Sequence, residues 1–81
     1  MNNPHWQDQH DWALDDIRFV LGEIYAFKQM LIKHPDDAMG VSFRSIIGEL
    51  NKLLARTITA YANVYGGRPN IRKLREEVEN A

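Results

Sequence analysis

Apolar side chains in this sequence return every three or four residues along two long stretches and one short one, and nowhere do they alternate as in a strand. Read at 100° per residue, the second stretch is the cleanest. Phe43, Ile46, Ile47, Leu50, Leu53, Leu54, Ile58, Tyr61, Val64 and Tyr65 fall in one arc of about 120°, which Ala60 widens to about 160°. Ser45, Glu49, Lys52, Arg56 and Asn63 lie opposite. This spacing predicts a helix over about 42–65, closed by Gly66 in the left-handed conformation that ends many helices. Ser42 suits its N-cap; Asp36 or Asp37 would cap an earlier start that includes Met39, and Gly40 weighs against that choice. Gly48, Ala55 and Ala62 recur along one edge, either as tolerated helix residues or as a row that admits another backbone closely.

The first stretch predicts a helix over about 8–33, ended by Pro35, which disfavours a helical residue before it. Its main apolar arc holds Ala13, Leu14, Ile17, Val20, Leu21, Ile24, Phe27, Leu31 and Ile32. A second stripe, Trp12, Phe19, Ala26 and Met30, runs along the far side, flanked by Asp16, Glu23 and His34. Two apolar stripes on one helix call for two packing partners, because soluble monomers rarely keep such a row open to water. The short stretch predicts a third helix over about 70–79, with Pro69 or Asn70 at its start and Ile71, Leu74 and Val78 as an i, i+3, i+7 stripe. Nine or ten residues at 1.5 Å each cover only about 15 Å.

These elements predict an all-α fold over residues 1–81, a long antiparallel helical hairpin with a short C-terminal helix. Two helices cannot cover every apolar face. The expected arrangement is therefore a homodimer in which two hairpins form a four-helix bundle, with the third helix as brace or arm. The alternative is a closed three-helix monomer with the third helix over the second stripe of the first. Chain length sharpens the point: 81 residues bury a modest fraction of their surface, and no cysteine is present to form a disulfide.

Charge divides unevenly. Residues 1–40 carry three Lys/Arg against seven Asp/Glu, and residues 41–81 carry seven against four. A uniformly basic nucleic-acid binder does not look like this, whereas two halves of opposite charge attract, within a chain or between two. The opening run gathers His5, Asp8, His10, Asp11 and Asp15, which could suggest a metal site. Bundle metal sites take ligands from facing helices, and the second helix offers only Glu49. The acids are read instead as first-turn residues that meet the positive end of the helix dipole. Trp6, on the same side as Ile17 and Ile24, is expected to continue the core. No metal and no cofactor is expected.

The run GGRPNIRKLREEVEN brings Arg68, Arg72, Lys73 and Arg75 together, a possible phosphate or anion contact. The same residues form the i,i+4 pairs Arg72–Glu76, Lys73–Glu77 and Arg75–Glu79 of a solvated helix face. Tyr61 and Tyr65, one turn apart, suit a half-wet contact or a core edge. Catalysis has little support: there is no cysteine, Ser42 and Ser45 lie at a helix start, and Arg18, Arg44 and Arg56 each sit on a polar face. No apolar run reaches membrane-spanning length, and the N-terminus is acidic and polar where a secretory signal needs a basic start, so a soluble cytoplasmic protein is expected. The reading that follows is a protein–protein interaction module, not an enzyme, acting as adaptor, inhibitor or regulatory subunit. It would contact itself or an unidentified protein through Trp12, Phe19, Ala26, Met30, Tyr61 and Tyr65. The runner-up is a dimeric nucleic-acid-binding regulator using the basic start of the third helix.

Overall fold

A computed structural model describes the backbone of residues 4–81 and the side chains from residue 8 onward. The described chain is all-helical: α1 (Pro4–Lys33), α2 (Ala38–Tyr65) and α3 (Ile71–Glu79). Side-chain readings for His5 and Trp6 fall outside the described residues. α1 begins four residues before the expected Asp8, with a proline that costs nothing in a first turn, where its missing N–H would be unpaired anyway. This moves the acids: the first turn holds none, and Asp8, Asp11, Asp15 and Asp16 lie beyond the reach of the helix end, where the dipole effect has faded.

α2 also begins early, at Ala38 and not near Ser42. Asp37 is the N-cap, its Oδ1 accepting from the Gly40 N–H at 2.9 Å, and His34 Nδ1 lies 2.8 Å from its Oδ2. Gly40, which argued against this start, makes it possible. The backbone passes so close to His34 that a Cβ at residue 40 would overlap the His34 carbonyl oxygen, and only glycine fits. Arg44 closes the connection by donating to the Pro35 carbonyl at 2.8 Å. At the other end Gly66 takes φ 78° and donates to the Ala62 carbonyl. Asn70 caps α3 by accepting from the Lys73 N–H.

Ring contacts show how α1 and α2 lie. Phe27 meets Phe43 near the connection, and His10 meets Tyr61 and Tyr65 at the far end, so paired positions run in opposite order along the two helices. The buried apolar side chains among the described residues are Ile17, Val20, Leu21 and Ile24 of α1, Leu54 and Ile58 of α2, and Leu74 of α3. α1 touches both other helices, and α3 packs on α1 alone. Val78 reaches to 3.6 Å from where a Gly22 Cβ would stand, and Arg18 binds Glu77 across the two helices at 3.2 Å. α3 therefore docks on its own chain, but over Leu14, Arg18 and Gly22. That line is about 120° round α1 from Trp12 and Phe19, so the closed monomer with the second stripe under α3 does not form.

Two glycines of α2 should respond in opposite ways. Gly40→Ala is expected to destabilise by about 1–3 kcal/mol through overlap with His34. Gly48→Ala, where nothing lies within 4 Å of the added methyl, is expected to stabilise by about 0.5–1 kcal/mol. Urea midpoints of the two variants check both signs. The Asp37 carboxyl is held below its ordinary value of 3.8, first by the Gly40 N–H and then by His34. Its contribution is complete above that ordinary value and is lost as pH falls through the lower folded value. Asp37→Asn, which can still cap, should therefore flatten the acid limb of a stability–pH curve while leaving a folded protein at neutral pH.

Candidate interaction surface

α1 has three sides. One faces α2, where Phe27 meets Phe43 and His10 meets Tyr61, and one faces α3, where Arg18 binds Glu77 and Val78 lies beside Gly22. The third carries Trp12, Phe19, Ala26 and Met30, within about 40° of one another. Trp12 is 62 % exposed, Phe19 69 % and Met30 43 %; Ala26 is half-buried. α2 carries a matching row. Ile46, Leu53 and Ala60 stand at seven-residue intervals, with Val64 one turn beyond, and all four are exposed. The two rows open on the same side. Asp16, beside the Trp12 row, lines one inter-helix groove with Ala60 and Val64. The result is a broad apolar face across both helices, turned away from α3.

Charges border this face without partners. Asp16, Glu23 and Arg56 make no ion pair among the described residues. Lys52 is tied to Glu49 at 3.2 Å on the rim. The hydroxyls of Thr57 and Thr59 are spent on the carbonyls of Leu53 and Ala55 within α2.

Tyr61 and Tyr65 occupy a different setting from the Trp12 row. Both are half-buried, 4.8 Å apart between ring centroids, and both rings meet His10, whose Nε2 lies 2.5 Å from the Tyr61 hydroxyl. His10 was legible in part: it stands seven residues before Ile17 and fourteen before Ile24, on the line that faces α2. The pattern along the chain groups it with the neighbouring acids and does not carry this contact. The tyrosines edge the groove with one rim and brace the α1–α2 end with the other.

The basic residues of α3 do not converge. Arg72 pairs with Glu76 at 3.4 Å. Arg68 lies beside Thr59 and Ala62 on the α2 flank, and Lys73 lines the crevice between α1 and α3. The expected Lys73–Glu77 pair is replaced by Arg18–Glu77, because docking turns Glu77 toward α1. Arg18 is held charged more firmly than usual, chiefly by its bond to Asp15. Arg44 serves the 34–37 connection, so Arg18, Arg44 and Arg56 go to three separate places. Among the described residues no three His, Asp or Glu side chains gather to hold a metal ion, and no helix is long and apolar enough to cross a membrane.

Comparison with family models, with curated proteins and with solved structures gives no match in any of the three. The His10–Tyr61 contact is directly testable: Tyr61→Phe keeps the ring packing and removes one half-buried hydrogen bond, with an expected loss of about 0.5–1.5 kcal/mol in a thermal or urea melt.

Proposed function

We propose that this chain is a small protein–protein interaction module, of the adaptor, inhibitor or regulatory-subunit kind, built as half of a four-helix bundle. In this reading α1 and α2 are the long antiparallel hairpin. Their open face packs on two helices of another molecule, and the first such molecule is a second copy. α3 is the brace that completes the opposite side.

The observation that carries the reading is the exposure of Trp12 and Phe19 on a face shared with Ile46, Leu53 and Val64. Fully burying a large apolar side chain is worth about 1.5–3 kcal/mol, and a contiguous patch of this kind is what interaction surfaces have in common. Nucleic-acid binding through Arg68, Arg72, Lys73 and Arg75 has weaker support, since Arg72 is already paired and Arg68 and Lys73 face different hollows.

Phe19→Asp tests the proposal. The helical circular dichroism should stay, because Phe19 is largely outside the core, while sedimentation equilibrium should show dimer falling to monomer. A wild-type chain that stays monomeric, or a variant that keeps its dimer, refutes the reading. Loss of helix content would place Phe19 in the chain's own core.

A further inference from the structure

We infer that two copies pair with α1 of each laid on α2 of the other, the twofold axis running along the helices. This inference rests on the self-association proposed above and adds its geometry. The starting point is the level of each side chain along the pair. His10 stands beside Tyr61, and Phe27 beside Phe43, with residue numbers that add to about the same value. On that scale Trp12 is level with Ala60, Phe19 with Leu53, and Ala26 with Ile46. Each layer sets a bulky residue beside a small or medium one.

A twofold interface is self-complementary: whatever residue i meets, its equivalent meets i in return. Two orientations would place these faces against each other. With the axis along the helices, levels are preserved, and Trp12 comes over Ala60 of the second copy while Ile46 comes over its Ala26. With the axis across the helices at the Phe19 level, α1 lies on α1, and Trp12 comes over Ala26. Both satisfy the bulk pattern, so packing alone does not choose.

Charge does. α1 carries Asp8, Asp11, Asp15, Asp16 and Glu23, against Arg18 alone, over the half that bears Trp12 and Phe19. Laying α1 on α1 brings Glu23 against Asp15 and Asp16 of the other copy, like charges at close range. α2 has no acid after Glu49, and it offers Lys52 and Arg56. Laying α1 on α2 brings Asp16 level with Arg56, two groups that make no ion pair among the described residues. Glu23 then comes level with the Lys52–Glu49 pair, whose ammonium can serve both carboxylates. The area is sufficient. The open parts of Trp12, Phe19, Met30, Ile46, Leu53 and Val64, taken over two copies, come to on the order of 1,200 Å², the lower edge of stable interfaces.

Two reciprocal charge reversals, Asp16→Arg and Arg56→Asp, test the pairing, since both positions are exposed and outside the core. Each variant alone sets like charges against each other twice per dimer and should associate about tenfold or more weakly than wild type. Mixed one to one, they restore opposite charges at both contacts, and native mass spectrometry should show a heterodimer that approaches wild-type strength. A mixture no tighter than either variant, with wild type still dimeric, overturns the pairing and leaves self-association standing. Tighter association of Asp16→Arg alone also overturns it, because that is the result for α1 on α1. A monomeric wild type removes the earlier proposal and this one together.

Discussion

Everything in this molecule depends on α1 having to serve two neighbours at once. Among the described residues Ile17 is the one side chain with no exposure at all, and it belongs to a core cluster drawn from all three helices. Around it Val20, Leu21 and Ile24 of α1 form one buried cluster with Leu54 and Ile58 of α2 and Leu74 of α3. The two contact lines lie on adjacent sides of one cylinder. Because α3 has only nine residues and touches α1 alone, it shields one stretch of one side and leaves α2 open on both flanks. The core is correspondingly small, and the hydrophobic stabilisation available to a lone chain is limited by how few side chains can reach it.

The uncovered apolar face is the counterpart of that arrangement. A third helix laid on the Trp12 side would have hidden the aromatic row. Placed on the Gly22 side, where Val78 lies 3.6 Å from the Cβ position, it leaves the row free. The Arg18–Glu77 bridge ties α3 to α1 on that side. The carboxylates that border the open face gain nothing from the helix dipole at their distance from the helix start. Among the described residues Asp16 and Glu23 make no ion pair, so the same surface is apolar and electrostatically incomplete.

The connection between α1 and α2 solves a separate problem. Pro35 stops one helix, and the next must begin almost at once if Phe43 is to reach Phe27. Asp37 supplies the cap, Gly40 supplies the room, and Arg44 returns to hold the Pro35 carbonyl. A start at Ser42 would leave residues 38–41 outside the helix and forgo this cap.

The sequence alone determined the helical class, the number of helices, the apolar stripes and most of the helix ends, because these follow from periodicity and from local chemistry at proline, glycine and capping residues. The second stripe on α1 was legible for the same reason. Relative placement came from packing in three dimensions: which side of α1 receives α3, that His10 joins Tyr61 and Tyr65, that Glu77 turns to Arg18, and that Gly40 lies against His34. Each of these joins residues that local periodicity treats separately, or depends on how closely two backbones approach. A one-dimensional pattern carries the direction of a side chain around its own helix, and it carries no information about which neighbour stands in that direction.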